Sequence, residues 1–245
     1  MEEVRYPYHS PGAGLVLDGL DLAKWSMRKI LGVNRQNPRL PDVLKRRVLA
    51  SYAQRYKLRT FVESGTYLGG TVAFMRKYCG QLYSVEYQPH LAKAAQRRFF
   101  GNPAIHIFHG NGSHWIPRIV AEVHEPALFW LDGHFAAGTA QPGEIACPTL
   151  AEISAALADP RYPHVLLIDD ANEFQGDGGY PTIEALQQSI ASIKTDVSIE
   201  VRDNIVRITP KPVEKQYEQA SESCPSEERS SHPPHFFITF GDRSR

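Results

Sequence analysis

The chain has 245 residues, and its 27 Lys+Arg are balanced by 27 Asp+Glu for a formal net charge of +0. Nothing in that balance draws the protein to duplex nucleic acid or an anionic membrane, so neither is an expected partner. The length suffices to bury one large α/β core without covalent staples, and three widely spaced cysteines, Cys79, Cys147 and Cys224, with no C-x-x-C pair, argue against a disulfide framework or zinc knuckle.

The opening Met1-Glu2-Glu3 puts no basic segment ahead of an apolar stretch, and no apolar run approaches the length of a membrane span, so a cytoplasmic protein is expected. Residues 1–57 are punctuated by Pro and Gly except for a helical pattern over Asp42 to Tyr56, and read as an extension covering the body of the fold. From Leu58 onward short apolar runs alternate with helical periodicity, the pattern of repeated βαβ units around a mainly parallel sheet. The runs are Thr60 to Val62, Leu82 to Val85, Ile105 to Phe108, Ala127 to Leu131 and His164 to Ile168. Two of them, ending at Leu131 and Ile168, are almost wholly apolar, as central strands covered on both faces should be.

Helices are expected between the runs at Gly70 to Tyr78, Pro89 to Phe100, Ser113 to Val123, Pro148 to Leu157 and Thr182 to Ile193. Val197 to Val201 and Ile205 to Thr209 then form a hairpin at the sheet edge, giving seven strands. The fold class is therefore α/β: a seven-stranded, mostly parallel sheet flanked by helices, in a domain spanning 58–210. Residues 211–245 shift to Ser, Glu, Pro and Lys and read as a mobile tail. Within the tail, His235 to Phe240 is either a docking element, for the body or for a second copy in a homodimer, or an unremarkable end.

Each apolar run ends in a polar or acidic residue followed by a turn: Glu63, Glu86, Asn111 after His109-Gly110, Asp132, and Asp169-Asp170. Ligands of open parallel sheets sit at the carboxyl ends of the strands, so these groups should meet in one crevice. Taken singly, each would pass for an ordinary turn former or helix cap; their common position is the signal. The first turn, Glu63-Ser64-Gly65-Thr66-Tyr67-Leu68-Gly69-Gly70, lets a ligand approach backbone N–H groups. Tyr67 stands where a dinucleotide fingerprint needs glycine, which disfavours pyrophosphate but tolerates an amino-acid carboxylate. Glu86 follows Glu63 at the ~20-residue spacing at which a second-strand acid meets a ribose hydroxyl.

Glu63-x-Gly65-x-Tyr67-x-Gly69 resembles the first motif of class I S-adenosylmethionine-dependent O-methyltransferases of the catechol type. The likeness continues through Gly110, Ile116-Pro117, Leu131-Asp132 and Asp169-Asp170, and the last two are similar to macrocin-type sugar O-methyltransferases. It covers roughly residues 58 to 210. It implies the Rossmann-like methyltransferase fold with strand order 3-2-1-4-5-7-6. It also implies S-adenosylmethionine as cofactor, held by Gly65, Tyr67 and Gly69 at the methionine end, Glu86 at the ribose, and Asn111, Gly112 and Ser113 at the adenine, with Glu63, Thr66 and Asp132 also among the binding residues. Asp132, Asp169 and Asp170 would be metal ligands. Macrocin-type enzymes carry a second aspartate two residues after the first, whereas this chain has His134, which becomes the expected base beside Asp132.

A hard, oxygen-only ligand set suits Mg²⁺, and methyl transfer to a hydroxyl needs alignment plus help in removing the acceptor's proton. An imidazole such as His134 titrates near neutral pH and suits that task. The expected activity is metal-assisted O-methylation of a hydroxylated small molecule. N-methylation fits less well, because Asp132-Gly133-His134-Phe135 lacks the Asn/Asp-Pro-Pro-aromatic run of such enzymes. Two other readings stay open: a metal-dependent hydrolase or hydroxylase-like enzyme, and a non-catalytic nucleoside-binding protein. The loops 136–139 and 176–179, rich in small residues, are expected to cover the substrate.

Overall fold

The computed structural model describes residues 22–24, 26–27, 39–133, 149–177 and 179–212. His134, Cys147, Cys224, the loop 136–139 and the segment 235–240 lie outside the described residues. The chain divides into two units, 1–211 and 212–245, and the first holds the whole sheet.

In chain order the elements of this first unit are α1 (Asp42–Arg55), β1 (Thr60–Ser64), α2 (Gly70–Met75), β2 (Gln81–Glu86), α3 (Pro89–Arg98), β3 (Ile105–His109), α4 (Gly112–Glu122) and β4 (Ala127–Leu131). There follow α5 (Thr149–Leu157), β5 (Val165–Ile168), a 3₁₀ turn (Ala171–Glu173), α6 (Ile183–Ile193), β6 (Val197–Arg202) and β7 (Ile205–Pro210). The sheet has seven strands in the order β3-β2-β1-β4-β5-β7-β6. β1 to β5 pair in parallel, and β7 runs antiparallel to both β5 and β6. The expected topology is the one observed. Among the described residues no helix is long and apolar enough to cross a membrane.

Alternation along the strands distributes side chains to two apolar layers. Val62, Val85, Phe129, Leu131 and Ile168 pack with Ile116 and Ile119 of α4, Ile153 of α5 and Leu186 of α6. Phe61, Leu82, Leu128, Trp130 and Leu167 face the other way, onto Leu49 and Tyr52 of α1 and Val72 and Met75 of α2. The central strands β1, β4 and β5 are buried along their whole length, and β4 and β5 have the near-continuous apolar sequence that such burial favours.

Strand ends run slightly beyond the apolar runs. β1 continues through Glu63 and Ser64 because both still pair, with Ser84 and Val85 on one side and Trp130 and Leu131 on the other. In the opposite sense, α2 stops at Met75 rather than Tyr78, since the N–H groups of Lys77 and Tyr78 bond three residues back, to the Phe74 and Met75 carbonyls, instead of four. Asn111 caps α4 by accepting from Ser113 N–H at 2.9 Å, and Thr182 caps α6 by accepting from Ala185 N–H at 3.1 Å. The β6–β7 turn is two residues, Asp203 and Asn204, with φ of 57° and 62°, so Arg202 belongs to the strand.

Candidate functional site

Register decides which strand ends meet. Ser64 is level with Val85 on β2 and with Leu131 on β4, and Leu131 is level with Ile168 on β5. One residue further along, Glu86, Gly65, Asp132 and Asp169 therefore form a row across four neighbouring strand ends. All lie at the carboxyl edge of the sheet, where open parallel sheets receive ligands.

The first turn is built around close approach. Gly65 has φ of +92°, and a Cβ there would stand 2.5 Å from the Asp132 carbonyl oxygen, so only glycine lets the β1 turn cross β4. Tyr67 also takes a left-handed conformation, φ 49°. Its N–H donates to Glu86 Oε2 at 2.7 Å, while Gln88 N–H donates to Oε1 at 2.8 Å. Glu86 thus ties the β1 turn to the β2 turn, and each oxygen retains a second lone pair. Gly69, φ +72°, caps α2 and is packed by Phe99, whose ring atom lies 2.6 Å from where a Cβ would be. Its lack of a side chain therefore serves helix packing. Thr66 is buried with its hydroxyl 2.6 Å from that of Ser84, and Ser84 donates to Glu63 Oε2 at 2.7 Å. Burial, opposed by hydrogen bonds from Ser84 and Thr71 and assisted by the charge of Glu86, pushes the Glu63 carboxyl up to about 8.

At the β4 and β5 ends, one carboxylate oxygen each of Asp132, Asp169 and Asp170 lies within 4.8 Å of the others. Burial and the neighbouring Asp169 charge raise Asp132 well above the usual carboxylate range, Lys45 opposes the shift, and Asp170 and Glu63 add to it. Lys45, reaching down from α1, forms an ion pair with Asp169 Oδ2. Both are buried, and Asp169 Oδ1 is buried without a hydrogen-bond partner. Asp170, φ 51°, accepts from the Asn204 side-chain amide at 3.1 Å and lies 3.4 Å from Arg39. Asn204 also accepts from Ala171 N–H at its main-chain oxygen, 2.9 Å, and from Asn172 N–H at its side-chain oxygen, 2.8 Å. The hairpin tip thereby fixes the backbone that presents the two aspartates.

On the opposite face Ser64 donates to Glu152 Oε2 at 2.8 Å. Glu152 is fully buried on α5, its Oε1 has no hydrogen-bond partner, and that oxygen sits 1.8 Å from where a Cβ on Gly112 would be. Gly112, beside Asn111 and Ser113, must therefore be glycine for Glu152 to pack against the start of α4. Ser113 donates to Asn111 through both N–H and hydroxyl, at 2.9 and 2.8 Å.

Lys45, Asn204, Ser64 and Glu152 escape the sequence reading. Two of them leave a trace in it: Lys45 lies on the stripe that buries Leu49, Tyr52 and Ala53, and Glu152 on the stripe that buries Ile153, Ala156 and Leu157. A charge on an apolar stripe demands a partner, but sequence alone does not name it.

Burial pushes the Glu152 carboxyl from 4.5 up to about 7, against the hydrogen bond from Ser64. The folded protein therefore holds this proton more tightly than the unfolded chain, and stability falls as pH rises from the unfolded value through the folded one. Over that window the group removes on the order of 3 kcal/mol. Glu152→Gln, which cannot ionise, is expected to match the parent near pH 5 and to exceed it in melting temperature at pH 8. Equal pH slopes in thermal melts of the two proteins would contradict this assignment.

No family model matches the sequence, and no curated protein matches it. Solved structures do share the fold. An O-methyltransferase from Bacillus cereus, in complex with S-adenosylhomocysteine, superposes with a TM-score of 0.51 at 14% identity over 78% of this chain and 90% of that one. The O-methyltransferase TomG from Streptomyces achromogenes, involved in tomaymycin synthesis and in complex with S-adenosylmethionine, gives 0.50 at 14% identity over 68% and 79%. The chain has the Rossmann-like methyltransferase fold.

Proposed function

We propose that the chain is an S-adenosylmethionine-dependent methyltransferase that methylates oxygen on a hydroxylated small molecule, assisted by Mg²⁺. The observation that carries this reading is the row of Glu86, Gly65, Asp132 and Asp169 along one sheet edge, with Asp170 joining Asp132 and Asp169 in a cluster within 4.8 Å. The same fold holds S-adenosylhomocysteine in the Bacillus cereus structure and S-adenosylmethionine in TomG.

In this reading Gly65, Thr66, Tyr67 and Gly69 shape the methionine end with Glu63 beneath them. Glu86 accepts from the ribose hydroxyls, and Asn111, Gly112 and Ser113 border the adenine. Asp132, Asp169 and Asp170 would hold Mg²⁺. The donor set fits such an ion: three hard oxygen ligands converge, and Asp169 keeps a fully buried oxygen with no hydrogen-bond donor. When bound, Mg²⁺ orients an acceptor hydroxyl and eases loss of its proton. Asp132 and, two residues further along the sequence, His134 are the residues assigned to receive that proton.

Nucleoside binding is the first test. Millimolar S-adenosylhomocysteine is expected to raise the melting temperature, since a ligand at a hundred times its Kd adds about 2.7 kcal/mol of stability. No shift in melting temperature with either S-adenosylhomocysteine or S-adenosylmethionine would overturn the proposal.

A further inference from the structure

A cavity of about 110 Å³ lies between α1 and the β1 turn. That is well below the ~300 Å³ at which sites for whole drug-sized ligands begin, so it accommodates one end of a larger molecule. Its walls combine Leu49 and Trp130 with the hydroxyl residues Thr66 and Thr71, and α1 adds Asp42 and Arg46. Those two stand one helical turn apart, so they share a face of α1. Arg46 Nε donates to the Asp42 carbonyl at 3.2 Å, and its Nη1 lies 3.8 Å from where a Cβ on Gly70 would be. The guanidinium is thus placed over the start of α2.

A recess that pairs a guanidinium with a carboxylate, above a short apolar wall, has the polarity of an α-amino acid. We infer that Arg46 receives the α-carboxylate of the cofactor's aminoacyl end, with Asp42 on the ammonium side, so that α1 completes the cofactor site from outside the region of family likeness. Guanidinium is the cation that meets a carboxylate through two parallel hydrogen bonds. α1 thereby gains a role in ligand choice: a nucleoside with the sulfur but no α-carboxylate loses the Arg46 contact. The inference rests on the nucleoside-binding reading above.

The test uses two ligands and two proteins, the full chain and its Arg46→Ala variant, followed by calorimetry. One ligand is S-adenosylhomocysteine and the other its decarboxylated analogue, which lacks only the carboxylate. The variant is expected to bind S-adenosylhomocysteine about 10- to 100-fold more weakly, the span for losing a hydrogen bond to a charged group. Its affinity for the analogue should match that of the parent chain. Matching ligand-free melting temperatures establish that the variant is folded, and Arg46→Lys, which keeps charge without the fork, should fall between the two. Equal weakening of both ligands, or of neither, overturns the Arg46 assignment and leaves nucleoside binding intact. Failure of the parent chain to bind either ligand overturns both.

Discussion

Gly65→Ala is expected to unfold the chain at a substantially lower temperature and to abolish the stabilisation proposed for S-adenosylhomocysteine. The new methyl group would stand 2.5 Å from the Asp132 carbonyl oxygen and 2.8 Å from its carbon, at a φ of +92°. Both neighbours are main chain, so no side chain can swing aside, and β1 and β4 must separate where they present the site. Backbone strain and overpacking together cost about 2–6 kcal/mol. Gly80→Ala is the matched control, because a Cβ there meets nothing within 4 Å. Thermal melts of the two variants, with and without the nucleoside, check the expectation. A Gly65→Ala protein that melts and binds like the parent would show that the two strand ends do not approach this closely.

The sheet was legible in the sequence because β4 and β5 at its centre are buried on both faces and so are written as unbroken apolar runs. The carboxyl edge was legible for the same reason: at Leu131-Asp132 and Ile168-Asp169 the apolar run stops abruptly in an acid. Glu63 and Ser64 blur that rule, since polar residues continue the β1 ladder, and the run of apolar residues therefore understated the strand. What sequence could not supply was contact between distant segments. Lys45 and Asp169 are 124 residues apart, and Ser64 and Glu152 are 88 apart. Each pair is set by strand alternation, which turns Asp169 toward α1 and Ser64 toward α5. That alternation is readable only once the strand ends are fixed. Asn204 was hidden differently, as one of two turn residues whose side chain serves a loop on the neighbouring strand.

Removal of Asp169 carries the other large expected effect. Asp169→Ala would leave the Lys45 ammonium buried on α1 without its acid, and breaking one side of a buried pair typically costs about 3–5 kcal/mol. At roughly 2–4 °C per kcal/mol for a chain of this size, the melting temperature should fall on the order of 10 °C. Replacing both residues, as Lys45→Met with Asp169→Leu, removes the stranded charge together with its partner and should recover much of the loss, because two apolar side chains avoid the desolvation that the pair must offset. A double-mutant cycle in thermal or urea unfolding measures the coupling, and little dependence on added salt is expected for charges so shielded from solvent. Additive single and double effects would mean that the ammonium and carboxylate do not depend on each other. Lys45→Met alone makes a complementary case: it leaves Asp132, Asp169 and Asp170 together without the cation that α1 supplies. If these carboxylates hold Mg²⁺ as proposed, the ion should stabilise Lys45→Met more than the parent chain, because it then relieves a repulsion that Lys45 otherwise offsets.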